Sequence, residues 1–207
     1  AIQANIPVNL FEIDTLTPGI TVFGLSFMTL FSAALISKDR ESSLLQRLYT
    51  TPMTALDFIL GYTLPIIPFA VAQSIICYAV AIMLGLDVTV NILLAVGFLI
   101  PISVLYIALG LLFGSMLTDK QVGGICGALL TNLSAWLSGT WFDLDLVGGA
   151  FREIAYALPF VHAVELERAV LAGHLSDIFP HLWWVLGYAI AALTVAVLLF
   201  LRQMKKQ

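Results

Sequence analysis

Long uncharged stretches alternate with short polar segments along this chain. Each stretch is long enough to cross about 30 Å of hydrocarbon as a helix, which takes roughly 17–25 residues. The longer second and third stretches predict tilt or a kink, and they contain Pro65, Pro68 and Pro101. The pattern predicts an all-α, polytopic membrane helix bundle with five spans, at roughly residues 20–37, 58–86, 92–118, 121–142 and 178–201.

The composition supports the bilayer as solvent. Apolar residues make up 60% of the chain and charged residues 11%, and the mean hydropathy is +1.01. A soluble domain carries about 25% charged residues, so this chain could not cover its own surface in water. The net charge of −4 is not accompanied by a basic run, and we expect no nucleic-acid partner.

The distribution of Lys and Arg predicts the orientation. Cytoplasmic loops carry an excess of these residues. Arg152 and Arg168 lie in the opposite loops, together with most of the acidic residues, including Glu165 and Glu167. We therefore expect a multi-pass protein of the plasma (inner) membrane, with the start of this chain outside and its end cytosolic. The residues assigned to the cytosolic side are Lys38, Arg40, Arg47, Lys120, Arg202, Lys205 and Lys206.

Residues 1–17 lack the basic start and continuous apolar core of a signal peptide. Since the first span must begin outside, we expect an earlier span in a longer precursor. Residues 1–17 are then the end of an exported loop or domain, and 18–207 form the transmembrane domain.

The polar segment 38–52 predicts a short amphipathic helix on the cytosolic side. Leu44, Leu45, Leu48 and Tyr49 fall within about 140° of a helical wheel, and Pro52 ends the helix. Two interpretations stay open: the helix binds a partner protein, or it rests on the lipid headgroups.

The outer segment 140–177 is too apolar for an ordinary loop. Residues 146–157 and 161–171 are each expected to form a short helix, with Pro159 between them. We expect these re-entrant helices to dip partly into the outer leaflet and return, covered by protein. Glu165 and Arg168 are spaced to pair on one helix face.

The sequence contains no enzyme motif. The phosphate-loop pattern GxxxxGK[ST] is missing, as are HExxH, GxSxG and CxxC. We interpret His162, His174 and His181 as surface or interface residues, and we expect no bound metal. No charged residue lies deep in a predicted span, which argues against ion-coupled transport.

Three short motifs follow one another in a fixed order. Asp39-Arg40-Glu41 precedes Leu48-Tyr49-Thr50-Thr51-Pro52, Leu137-Ser138-Gly139-Thr140-Trp141-Phe142 ends a span, and Leu158-Pro159 precedes Arg168 and Gly173. With the span pattern, they resemble the permease subunit of ABC-2 type exporters over roughly residues 19–206. Ser43 and Gln46 depart from the Gly and Glu that this family often has. Members usually have six spans.

The resemblance implies a transport subunit that is no enzyme. Two permease halves, identical or paralogous, would pack in the lipid above cytosolic ATPase subunits that hold ATP and Mg²⁺, so this chain needs no cofactor. The cargo would be a drug, antibiotic, peptide, lipid or other amphiphile. The residues implied in ATPase coupling are Asp39, Arg40, Glu41, Leu44, Leu45, Arg47, Leu48, Tyr49, Thr51 and Pro52. The residues implied in an outer gate are Ser138, Gly139, Phe142, Pro159 and Arg168.

Two other classes of protein stay open. One is a membrane sensor or immunity protein that moves nothing, and the other is a membrane-embedded enzyme acting on lipid. Copurification of an ATPase subunit would separate both from an exporter.

Overall fold

The structure, a computed structural model, describes residues 9–42 and 54–204. The first element is a 3-10 turn at Asn9–Phe11, and every later element in these ranges is a helix. The predicted all-α class is therefore confirmed. The helices are α1 (Ile13–Glu41), α2 (Ala55–Thr63), α3 (Ile67–Met83), α4 (Val90–Met116), α5 (Asp119–Val122), a π-helix (Gly123–Leu130), α6 (Thr131–Leu137), α7 (Leu144–Val147), α8 (Gly149–Ala157), α9 (Pro159–Ala172) and α10 (Leu175–Met204).

Four segments in the described ranges are long and apolar enough to cross a membrane: Ile13–Glu41, Leu56–Met83, Val90–Met116 and Leu175–Arg202. They correspond to four of the five predicted spans. The second is broken by a turn at Leu64–Ile66, where Pro65 cannot donate a main-chain hydrogen bond. The remaining predicted span, 121–142, is helical only from Asp119 to Leu137. It consists of α5, the π-helix and α6 in succession.

The first span is longer than predicted at both ends. It was expected over 20–37, but α1 begins at Ile13 and ends at Glu41. The Thr17 hydroxyl donates to the Ile13 carbonyl at 2.6 Å, inside the first turn of the helix. At the other end Lys38–Glu41 continue α1 instead of starting a separate cytosolic helix, and residues 43–53 lie outside the described ranges.

Helices α1 and α4 form the closest packed pair at the centre of the bundle. A Cβ atom on Gly114 would lie 2.6 Å from the Ala33 carbonyl oxygen, so the two main chains nearly touch. The Thr29 hydroxyl donates across the interface to the Tyr106 carbonyl at 2.8 Å. Small residues and interhelical hydrogen bonds drive helix association in lipid, where hydrophobic burial contributes little.

Helices α8 and α9 form a hairpin that enters the bundle and returns. Phe160, at the start of α9, stacks on Tyr106 of α4 with ring centroids 6.2 Å apart. At the end of α9, the Asn91 amide donates to the Leu171 carbonyl at 3.1 Å. Since Asn91 and Tyr106 are 15 positions apart, the tip of the hairpin lies about 22 Å along α4 from its start. The two short helices predicted at 146–157 and 161–171 are confirmed as α8 and α9.

The α1–α4 contact gives a first testable prediction. Gly110→Ala places a Cβ 1.7 Å from Ser32 Oγ and 2.5 Å from the Thr29 carbonyl oxygen, so the helices must separate. We expect destabilisation of about 1–3 kcal/mol, the usual cost of overpacking. Thermal unfolding in detergent measures it. Gly97→Ala is the matched control, because nothing lies within 4 Å of a Cβ there. Equal melting temperatures for the two variants would contradict the packing argument.

Candidate functional site

The predicted site residues gather at opposite ends of α1. We name the end that carries Lys38, Arg40, Lys120 and Arg202 the basic end, and the end that carries the α8–α9 hairpin the hairpin end. Thr15, near the start of α1, contacts Arg168 at the hairpin end, and Arg40, near the end of α1, lies at the basic end. At 1.5 Å per residue the two sites are about 37 Å apart along the helix.

At the basic end, Arg40 binds the end of α4. One guanidinium nitrogen donates to the Ser115 carbonyl and another to the Leu117 carbonyl. The last carbonyls of a helix have no partner inside it and carry the negative end of its dipole. A planar guanidinium with several donors therefore fits this position and fixes the end of α1 to the end of α4.

Asp39 and Glu41 bind two further elements at the basic end. The Tyr62 hydroxyl of α2 donates to Asp39 Oδ2 at 2.8 Å. The Asp119 main-chain N–H, at the start of α5, donates to Glu41 Oε1 at 3.0 Å. Asp39, Arg40 and Glu41 thus join the end of α1 to α2, α4 and α5 in turn. The other implied coupling residues, Leu44, Leu45, Arg47, Leu48, Tyr49, Thr51 and Pro52, lie outside the described residues.

At the hairpin end, Arg168 of α9 joins three parts of the bundle. It pairs with Glu165 Oε1 at 2.7 Å, as its spacing predicts. It also donates to the Gly139 carbonyl at 3.1 Å and to the Thr15 carbonyl at 3.3 Å. Only 16% of the side chain is exposed. Arg168 therefore holds α9 against the turn that follows α6 and against the start of α1.

Most of the remaining implied gate residues lie around this turn. Gly139 has a φ of 69°, a conformation that glycine adopts without strain. The hydroxyl of Ser138 pairs with that of Thr140 at 2.8 Å, and both residues are buried. Phe142 meets Phe151 of α8 with ring centroids 5.9 Å apart. Pro159 is buried as the first residue of α9, where its missing N–H costs no hydrogen bond. The structure thus brings Ser138, Gly139, Phe142 and Arg168 to one end of the bundle, whereas Pro159 lies at the buried tip of the hairpin.

A polar cavity of about 250 Å³ opens beside Arg168. Asp143, Asp145 and Glu165 line it together with Arg168 and Tyr156. Arg152 pairs with Asp145 at its exposed rim. No cluster of three or more metal-binding side chains occurs in the part of the chain that the structure describes.

Sequence reasoning missed two buried polar contacts of the hairpin. Glu167 was assigned to an outer loop, but it is fully buried and accepts a hydrogen bond from the Tyr78 hydroxyl at 2.5 Å. His162 pairs with His181 of α10 through their Nδ1 atoms at 2.9 Å. The expectation that ionisable groups stay at the ends of the bundle is therefore wrong for Glu167. The reason is that α9 packs between the spans, and helical spacing alone does not show which of its side chains face the interior.

The comparisons with known proteins decide the family. The family model of the ABC-2 type transporter matches residues 2–172, most of the chain. The chain belongs to the ABC-2 type transporter family. It is a multi-pass membrane protein and a permease component of an ABC transporter, and the family implies association with an ABC ATPase. Comparison with curated proteins and with solved structures gave no match.

The hairpin end of this ABC-2 permease gives a second prediction. Arg168→Met removes the guanidinium donors to the Gly139 and Thr15 carbonyls, and each hydrogen bond to a charged group contributes about 1.5–3 kcal/mol. We expect the turn to loosen and a buried Thr140→Cys thiol to react faster with a water-soluble maleimide.

Arg152→Met is the matched control for that labelling experiment. Its pair with Asp145 is exposed at both partners, and exposed ion pairs add little to stability. The control should leave the labelling rate unchanged. If Arg168→Met also leaves it unchanged, Arg168 does not hold the turn closed.

Proposed function

We propose that this chain is the permease subunit of an ATP-driven exporter that moves a drug, antibiotic, peptide, lipid or other amphiphile out of the cell. A separate cytosolic subunit hydrolyses the ATP, and a second permease half, identical or paralogous, completes the path. The basic end faces the cytosol and the hairpin end faces outward. The observation that supports this best is the connection of one helix end, through Asp39, Arg40 and Glu41, to three other helices.

The geometry refines the coupling role of the three motif residues. Asp39 and Arg40 are partly buried, and their side chains point to elements of the bundle. In this proposal they transmit movement and do not themselves bind the ATPase. Binding falls to the apolar side chains of the following segment, chiefly Leu45, Leu48 and Tyr49. A shift of that segment would pull on α1, and α1 would move α2, α4 and α5 together.

The same helix carries the movement to the exit. Thr15, at the far end of α1, accepts a hydrogen bond from Arg168. A tilt or shift of α1 would weaken this contact and free α9 from the turn at Ser138–Thr140. The outer gate in this proposal therefore opens by separation of α9 from the start of α1.

The binding segment gives a third prediction. Leu48→Asp should abolish transport and ATPase binding while membrane insertion stays normal, because interface energy concentrates in a few buried apolar anchors. Burial of one leucine contributes about 1.5–3 kcal/mol, and the variant also buries a charge. Pull-down of the ATPase and transport into inverted vesicles measure both effects.

Arg47→Ala is the companion variant, and we expect a smaller effect from it. If the segment instead rests on headgroups, Leu48→Asp would weaken its membrane contact but leave the complex intact. An unchanged complex with unchanged transport would show that the coupling assignment is wrong.

The proposal as a whole is tested by purification with and without an ABC ATPase. We expect the permease alone to hydrolyse no ATP, and the complex to hydrolyse ATP and to move substrate in proteoliposomes. A membrane sensor or immunity protein would bind its ligand without an ATPase. A lipid-modifying enzyme would convert lipid alone. Either result would overturn the exporter assignment.

A further inference from the structure

A carboxyl group lies in the interior of the bundle, on the residue that precedes Arg168 of the hairpin-end site. Glu167 has no exposed surface, and its partner Tyr78 is 2% exposed. The Tyr78 hydroxyl, on α3, donates to Glu167 Oε1 at 2.5 Å. The second oxygen, Oε2, is buried and no described residue forms a hydrogen bond with it. This hydrogen bond joins the hairpin to α3.

The surroundings of Glu167 offer no positive charge. Arg168, its neighbour on α9, is bound to Glu165 and to two main-chain carbonyls. At the hairpin end, the charged and titratable groups on the elements around α9 are exposed, have other partners or face apolar surroundings. They are Glu12 at the cap of α1 and Asp14 in α1, both exposed; Cys77 on α3, facing an apolar groove; Tyr106 on α4, paired with Ser134; Arg152, Glu153 and Tyr156 on α8, at the hairpin surface; and Asp177, His181 and Tyr188 on α10, the first exposed, the second paired with His162 and the third donating to the Ala157 carbonyl. The other charged residues described on α1 and α10 lie at the basic end; they are Lys38, Asp39, Arg40, Glu41 and Arg202.

An ionised carboxylate cannot persist in these surroundings. Transfer of an isolated charge into a low-dielectric interior costs so much that the group neutralises instead. One hydrogen bond from a neutral hydroxyl does not offset that cost, because the charge on Oε2 would have no partner. A neutral carboxylic acid, by contrast, leaves one hydroxyl without a partner, which costs about 1–3 kcal/mol.

We propose that Glu167 is a proton-binding site of the hairpin, protonated while α9 is packed against Tyr78 and deprotonated when α9 separates and water reaches the carboxyl. Oε1 accepts from the Tyr78 hydroxyl and Oε2 carries the bound proton. On separation the Oε2–H bond breaks and the proton passes to water. The ligand in this proposal is H⁺, because the unpartnered Oε2 can hold a proton without further space.

The sign of the pH effect follows from linkage. The packed state binds one more proton than the separated state, so packing is stabilised at low pH and weakened as the pH rises. An ordinary glutamate has a pKa of about 4.3. The loss begins as the pH rises above that value, because the separated state then releases its proton while the packed state keeps it. Since the packed site stays protonated at neutral pH in this proposal, the loss continues on the alkaline side of neutrality. If the hairpin is the exit gate, as proposed above, alkaline conditions outside favour its opening.

Infrared difference spectroscopy of the full-length permease in lipid nanodiscs tests the site directly and needs no ATPase. At pH 7 the wild-type minus Glu167→Gln spectrum should show the carbonyl stretch of a protonated carboxylic acid, and Tyr78→Phe should shift that band. The paired stretches of a carboxylate at pH 7, in place of the carbonyl band, would overturn the proposal.

The thermal unfolding of the same samples gives a second readout. The wild-type melting temperature should fall between pH 7 and pH 9 by more than that of Glu167→Gln, which keeps an acceptor for Tyr78 but cannot lose a proton. Equal pH dependence in the two proteins would also overturn the proposal. Both measurements are independent of transport. The proton-site proposal can therefore fail while the exporter assignment stands, and the exporter assignment can fail while the proton-site proposal stands.

Discussion

Two arginines bind main-chain carbonyls at the ends of helices and in a turn, and the arrangement of the bundle depends on these contacts. Arg40 binds the carbonyls at the end of α4, and Arg168 binds the carbonyls of Gly139 and Thr15. In a membrane every main-chain polar group needs a protein partner, because the hydrocarbon offers none. A chain that breaks its helices near the bilayer must therefore supply donors at the breaks.

This constraint explains why the motif residues lie where they do. Both arginines have a guanidinium that reaches two carbonyls at once, which the single ammonium of lysine does less well. Arg40 lies in the last turn of α1, and Arg168 of α9 contacts the first turn of the same helix. The helix packs closely against α4 through Gly110 and Gly114, so a displacement at one end cannot be absorbed by a loose interface. A rigid element with a polar contact at each end is a physical basis for coupling over about 37 Å.

Much of the fold could be predicted from the sequence, because apolar length and the placement of Lys and Arg report directly on the solvent. Four spans and the two short helices followed from these patterns alone. The sequence predicted a tilt or a kink in the span that contains Pro65, but not the turn that breaks the helix there. Proline alone does not determine whether a helix bends or stops. The π-helix at Gly123–Leu130 could not be predicted, because no pattern in the sequence distinguishes its turns from α-helical turns.

The site was less predictable than the fold. The sequence grouped the gate residues through family resemblance, and it grouped Glu165 with Arg168 through helical spacing. It predicted that the two short outer helices dip into the membrane and return, but not which side chains of α9 face the interior, and so it missed the burial of Glu167 and the pairing of His162 with His181. The GxxxG pattern at Gly110 and Gly114 was present in the sequence, and it is the signal that could have identified the α1–α4 contact.

The central claim is that the end of α1 transmits movement from the ATPase to the bundle. It is tested most directly by the number of ATP molecules hydrolysed per substrate molecule exported by the reconstituted complex. Arg40→Gln should leave the ATPase bound and active but raise this ratio severalfold, because α1 then loses its hold on α4. Lys38→Gln, an exposed change in the same turn, should leave it unaltered. An unchanged ratio in Arg40→Gln, with normal transport, would contradict the account.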